Sequence, residues 1–352
     1  MLAMKSRNGM IDLWKFIFCF LIAAHHLYFI YIPEPYPFLS AWIYVEFFFI
    51  VTGYFTAVHF FVYDDSDNVV KSVSRYTYRK FRSIYPYIFI AITAQYLIEC
   101  IASKPFDNLS SFVIIICNYI AETLLISATG FISAHVGPIW FVSGMFISIP
   151  VVAFFLKNNY LKKVYLKYLS WLFPLLYYTK VGISGAGVYG NLDWPHRMVR
   201  PLAAMSIGVF VYWVTRVLNR REFSRFKFIL VKIIVTFLEI SCLLMTIYFT
   251  YNNEDCSKEI VLLFIIGLIC CFSGFSYTSV VHGKIFDMLG KFSMVFYLIQ
   301  SPVALCTNLY IHEVDTKNRI IMYYVVLIVS SIVLMLIVEN VKKVLKRCYQ
   351  IQ

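Results

Sequence analysis

Charge is what this sequence has least of. Asp, Glu, Lys and Arg make up 14% of its 352 residues against 61% apolar ones, and the mean hydropathy is +0.74, which excludes a water-soluble globular domain and makes lipid the solvent for most of the chain. Acidic residues are scarcest, 19 against 31 Lys and Arg, for a formal charge of +12. That excess is gathered into particular segments between apolar runs, the pattern that orients membrane proteins, so no nucleic-acid partner is expected. Long polar stretches are missing too, leaving no room for an independent extramembrane domain, and residues 1–352 read as a single polytopic domain. The nine cysteines form no paired spacing, and most (Cys19, Cys100, Cys117, Cys242, Cys270, Cys271, Cys306) sit inside apolar runs as small hydrophobes. Neither a disulfide framework nor a metal site is expected. The first apolar run follows Lys5 and Arg7 but contains Lys15, His25 and His26 and lacks a small-residue cleavage site, so it reads as a spanning helix rather than a removable leader. No internal repeat stands out, which weakens a transporter built from repeated halves.

What is present is a series of apolar runs of bilayer-crossing length. They predict an all-α integral membrane protein of about ten transmembrane helices, near 12–32, 40–62, 84–103, 138–156, 165–182, 198–215, 228–250, 260–281, 285–305 and 321–341. Segment 63–82 carries Lys71, Arg75, Arg79, Lys80 and Arg82; segment 157–167 carries Lys157, Lys162, Lys163 and Lys167; segment 216–227 carries Arg216, Arg220, Arg221, Arg225 and Lys227. These are the expected cytoplasmic loops, and the alternation closes if both termini, including Lys342, Lys343, Lys346 and Arg347, are cytoplasmic in a multi-pass protein of the cell membrane. The stretch near 110–127 contains Asn118 and Glu122 and would invert every later loop if it crossed, so a re-entrant or interfacial helix is predicted there.

Ionisable groups inside spans are costly and mark function. Lys15 and His26 are eleven residues apart, three helical turns, so they share a face roughly 16 Å apart along the axis. Either Lys15 snorkels to the interface and the histidines lie in the outer headgroup zone, or the stripe connects a cytoplasmic donor with an acceptor outside, His26 serving as a base near neutral pH. His25 points about 100° away and reads as structural. Glu46 lies among aromatics in the second span and needs a partner; it either orients a first-helix group or satisfies a structural hydrogen bond. Arg79 and Arg82, one turn apart beside Lys80, present either a guanidinium face suited to phosphates or an ordinary positive-inside anchor. Trp140 belongs to an outer aromatic belt or to a binding surface. His196, Arg197 and Arg200 open the sixth span on the same side, either to hold an anionic or hydroxyl-rich acceptor or to anchor the helix.

Five fragments in this order, IDLWKFIFCFLIAAHH, EFFFIVTGYF, YRKFRSIYP, GPIWFVSGMF and LGKFSMVFYLIQSP, resemble the acyltransferase 3 family of membrane-bound O-acyltransferases, which acylate bacterial surface sugars. The resemblance covers most of the chain. It implies transfer from a cytoplasmic acyl-CoA, most simply acetyl-CoA used as a substrate rather than a resident cofactor, to a hydroxyl of a capsule, lipopolysaccharide or exopolysaccharide. It carries the family's essential histidine onto His26, the basic residue eleven positions earlier onto Lys15, and the paired arginines associated with the acyl-CoA donor onto Arg79 and Arg82, with Lys80 between them. Glu46 would hold the imidazole, and Trp140 and Arg197 would meet the acceptor at the outer side. Three positions depart from the family's usual residues: Lys15 stands for Arg, Thr52 for Ser, and Gln300 for a late His. Membrane lipid is the other expected partner. A glycan transporter without acyl-transfer chemistry is the alternative.

Overall fold

The computed structural model describes residues 8–64, 68–103, 109–129, 136–183, 196–220, 224–254, 256–311 and 313–350, so Lys5, Arg7 and Arg221 lie outside the described residues. The described residues contain helices and turns and no strand. Helix α1 (Gly9–His25) starts where the Asn8 side chain accepts from the N–H groups of Met10 and Ile11 at 3.0 and 3.3 Å, filling two of the donors a helix start leaves orphaned. At His26 it tightens into a 3₁₀ turn, His26–Ile30, that ends on Tyr31 in the left-handed region at φ 53°.

Then follow α2 (Tyr44–Val58, continued by a π turn over His59–Tyr63), α3 (Val69–Ser103), α4 (Leu109–Thr123) and α5 (Ile139–Lys157). The second half runs α6 (Asn159–Val164), a π turn at Tyr165–Leu169, α7 (Ser170–Ile183), α8 (His196–Leu218), α9 (Arg225–Tyr251), α10 (Ser257–Phe272), α11 (Lys284–Leu298), α12 (Gln300–Tyr310) and α13 (Thr316–Gln350).

Among the described residues, seven helices are long and apolar enough to span a bilayer, and the pair α11 and α12, bent by 54°, makes an eighth if it crosses as one. The expected count of about ten is therefore high. The run expected at 260–281 stops as a helix at Phe272, where Gly274 turns the chain at φ 75°, and its last residues form a separate 3₁₀ turn at Tyr277–Val280. The run expected at 165–182 begins in a π turn containing Lys167, and α7 itself is 14 residues long with Lys180 near its end. The bend between α11 and α12, at Ile299, sits three residues before Pro302, whose ring displaces the carbonyl of Leu298 and has no N–H to bond it.

Helix α3 also differs from expectation. It starts at Val69, not near 84, so Arg75, Arg79, Lys80 and Arg82 ride on a helix and not in a loop. Its first half is amphipathic: Ser72, Val73 and Tyr76 are buried while Lys71, Arg75, Arg79 and Arg82 are exposed, a helical spacing that the search for purely apolar runs passes over. Helix α4, at 15 residues, is short for a crossing; it packs on α3 through Thr93 and Tyr119, and Glu122 accepts from the Val136 N–H at 3.2 Å.

The centre is the crossing of α2 and α8. A Cβ on Gly53 would sit 2.0 Å from the Met205 carbonyl oxygen, and one on Gly208 would sit 2.0 Å from that of Ile50, so both positions demand glycine for the backbones to touch. The α2 span is 67% buried, while the α9 span is 17% and the α13 span 22%, so α2 is core and those two present apolar flanks to lipid. The bundle's two ends differ in chemistry. One end gathers Asp64 with Lys157, Lys162 over Phe61, Arg216 over Phe61, and Lys342 on the Ser83 carbonyl. The other gathers neutral ties, Asn253 on the Tyr36 carbonyl, Ser40 on Asn253, and His25 on Leu39.

Candidate active site

His26 leaves α1 as the first residue of its 3₁₀ turn, partly exposed where most of its neighbours are buried. Its Nδ1 lies 2.8 Å from Oε1 of Gln300, and the Gln300 Nε2 donates to the Cys19 carbonyl at 3.2 Å. The second contact decides the first. A carbonyl only accepts, so the amide nitrogen must face Cys19 and the amide oxygen must face His26; that oxygen needs a donor, so the imidazole carries its proton on Nδ1. Nε2 is then the free base. Gln300 is fully buried at the break before Pro302, which swings it out of the α11 axis toward α1. The turn is held from outside as well: Arg319 on α13 donates to the Ile30 carbonyl at 3.2 Å and the Val314 carbonyl at 2.9 Å. His25 is structural, its Nδ1 2.5 Å from the Leu39 carbonyl, beside the Tyr36 hydroxyl that donates to the His25 carbonyl at 3.1 Å.

Glu46 does not meet His26. Its Oε2 accepts from the Tyr178 hydroxyl at 2.6 Å and its Oε1 is ion-paired with Nε of Arg200. The cause is the α2–α8 crossing: Glu46 lies two turns before Gly53 and Arg200 two turns before Gly208, so the glycine contact brings the two charges face to face. Gln300 takes the orienting place at His26, and the pairing of Glu46 with Arg200 corrects the expectation that a carboxylate holds the imidazole. In the sequence Gln300 shows only as a polar residue before a Pro in an apolar run.

The Arg200 guanidinium lies over two indoles, with its Cζ 5.4 Å from the Trp42 centroid and 5.0 Å from that of Trp140. Trp140 reaches it because Gly144, one turn on, lets α5 approach Pro201 so closely that a Cβ there would sit 2.6 Å from the proline ring. Arg197, one turn before Arg200 on α8, is half-buried and already engaged. The two clusters lie side by side: the His26 ring is 5.3 Å from Phe29, and Phe29 reaches the site of a Gly137 Cβ at 3.5 Å, three residues before Trp140.

Lys15 lies at the cation-rich end, 3.5 Å from Asp12 and with its ammonium 5.6 Å from the Phe55 ring. Arg79 and Arg82 are exposed on α3 one turn apart, and Lys80 lies 5.8 Å from the Tyr76 ring. His59, stacked on Tyr76 at 4.4 Å, is within electrostatic reach of Arg79, Lys80, Lys157 and Asp64. Partial burial, then Lys157 and Arg216, hold the Lys162 ammonium below its ordinary range. Thr52 turns its hydroxyl onto the Phe48 carbonyl of its own helix at 2.8 Å. Among the described residues no group of His, Cys, Asp and Glu side chains is arranged to hold a metal.

The site thus has a base of fixed tautomer near one end of the bundle and a basic rim at the other. A family profile described as an acyltransferase domain matches residues 8–339, nearly the whole chain, from the Asn8 cap to Glu339 on α13. The chain belongs to the acyltransferase 3 family. No curated protein and no solved structure matches it. Acyltransferase 3 membership makes this multi-pass membrane protein an acyltransferase, and every fragment that carried the resemblance lies inside the matched region.

Proposed function

We propose that the protein moves an acyl group, most simply acetyl from acetyl-CoA, onto a hydroxyl of a cell-surface saccharide or its precursor, with His26 as general base. The observation that carries this is the chain from His26 through Gln300 to the Cys19 carbonyl, which leaves Nε2 unprotonated and aimed away from its anchor. The sugar O–H gives its proton to Nε2 as the oxygen attacks the thioester carbonyl carbon. The tetrahedral intermediate then collapses, the carbon–sulfur bond breaks, and the imidazolium returns the proton to the leaving thiolate. Gln300 accepts from Nδ1–H throughout and so supports the imidazolium without itself changing protonation.

The donor's phosphates suit the basic rim. Arg79 and Arg82 offer two exposed guanidinium groups on one helical face, with Lys80 between them and Lys15 nearer the interior. That rim is the proposed cytoplasmic side of the cell membrane, an orientation supported by the Lys and Arg bias and by the contact of Arg319 at the start of α13 with Ile30 at the end of the first span, which returns the start of α1 and the end of α13 to one side. The acceptor, whether capsule, lipopolysaccharide or exopolysaccharide, then approaches His26 from the opposite side.

The test is acetyl-CoA consumption by protein in nanodiscs, with and without a crude surface-glycan fraction. Wild type is expected to leave an ester on the glycan and His26→Ala to leave none while inserting and eluting normally. An active His26→Ala variant would overturn the assignment, and glycan translocation without ester formation would make the protein a transporter.

A further inference from the structure

Arg200 is among the largest fully buried side chains, at 1% exposure, and only part of it is satisfied. Nε is ion-paired with Glu46, the Cζ lies over the Trp42 and Trp140 rings, and Nη1 and Nη2 have no hydrogen-bond partner among the described residues. A guanidinium held only to fasten α2 to α8 would be expected to have its outer edge saturated, because unmet donors in a low-dielectric interior are costly. The unmet edge carries two coplanar donors, and the two indoles near the guanidinium are themselves partly exposed.

We infer that Arg200, Trp42 and Trp140 form the subsite that grips a neutral sugar ring of the acceptor. This rests on the acyl-transfer reading for the identity of the ligand, and adds to it a place and a charge preference. Two oxygens carried on adjacent ring carbons accept from Nη1 and Nη2, replacing the missing partners, while an indole gives the ring's apolar face a surface; swinging either partly exposed indole aside opens the edge. Glu46 sets the preference. It already neutralises Arg200, and its second oxygen is taken by the Tyr178 hydroxyl, so a carboxylate arriving at the outer edge would leave a net negative charge buried, whereas a pair of hydroxyl or amide oxygens leaves none. Phe29, which packs against the His26 ring and the Gly137 position three residues before Trp140, places the subsite beside the base.

The test is direct binding in nanodiscs without any acyl donor, following tryptophan fluorescence and saturation-transfer NMR with the methyl glycosides of a neutral hexose, an N-acetylhexosamine and a hexuronic acid. Saturable binding of a neutral member is expected, weakened about tenfold or more in Arg200→Lys, which keeps the charge beside Glu46 but loses the paired donors. Trp42→Ala, which spares the buried ion pair, is expected to weaken it similarly, and Trp42→Phe to restore part of it. Absence of saturable binding, preference for the uronide, or unchanged binding in both Arg200→Lys and Trp42→Ala would each overturn the inference. Failure of the two readings is separable: sugar binding with no transfer from any acyl-CoA would sink the enzymatic proposal alone, and transfer whose acceptor KM ignores Trp42→Ala would sink the subsite alone.

Discussion

At the scale of single residues, the informative position is Gln300, where the resemblance to the family implies a histidine. An amide cannot relay a proton as imidazole can, but with one end committed to the Cys19 carbonyl it becomes a rigid acceptor that selects one tautomer of His26. Gln300→Leu is therefore expected to lower kcat about 10- to 100-fold, the equivalent of about 1–3 kcal/mol for an orphaned buried donor, with the KM for the acyl donor unchanged. Nitrogen-15 histidine spectra are the accompanying check, because they should show His26 losing its single Nδ1–H form. A kcat within twofold of wild type would mean that the imidazole needs no orienting partner. Lys15 differs from the family's arginine in a way the structure accommodates: its ammonium rests between Asp12 and the Phe55 ring, contacts that ask for a compact charge and not a planar fork.

At the scale of helices, two local devices place these residues. The first is Pro302. Replacing it by Ala restores the N–H that the Leu298 carbonyl lacks and lets α11 run into α12, drawing Gln300 away from α1. Pro302→Ala is expected to match Gln300→Leu in kcat while retaining or raising thermal stability, measured as Tm in nanodiscs. The second is the glycine crossing of α2 and α8. Gly53→Ala and Gly208→Ala each force a methyl into backbone at 2.0 Å, so the helices must separate. Each is expected to cost about 1–3 kcal/mol of stability by overpacking, read as a lower Tm. Activity should fall further than stability, since the same crossing carries Glu46 to Arg200.

At the scale of the molecule, the division of chemistry between the two ends is the organising fact. Cations crowd one end, while the other, toward which the His26 and Arg200 clusters lie, is tied by Asn253, His25 and Arg319 onto backbone carbonyls. On the proposed reading, in which these exposed groups meet the phosphates of an acyl-CoA and not the reacting atoms, Arg79→Ala with Arg82→Ala is expected to raise the KM for acyl-CoA by about tenfold or more and leave kcat nearly unchanged. The wild-type KM should climb with ionic strength and that of the double variant should climb less, as the basic rim is screened. Equal salt dependence in both would place the donor elsewhere.

The sequence by itself determined the class of molecule. Composition made lipid the solvent, the apolar runs required helices because a bilayer leaves no other partner for backbone N–H and C=O groups, and the sorted cations set the ends apart. His26, Lys15 and the pair Arg79 and Arg82 stood out as candidates because ionisable groups are conspicuous against an apolar background. Helix lengths were less legible. Hydropathy counts apolar residues and does not see the turn at Gly274, the amphipathic start of α3, or the break ahead of Pro302. The partnerships belonged to the tertiary structure alone. Glu46 is 154 positions from Arg200 and His26 is 274 from Gln300, and nothing local relates them. They meet because two glycines let α2 and α8 touch and one proline turns α11 toward α1, and a buried polar group takes whichever partner the packing of helices brings within reach.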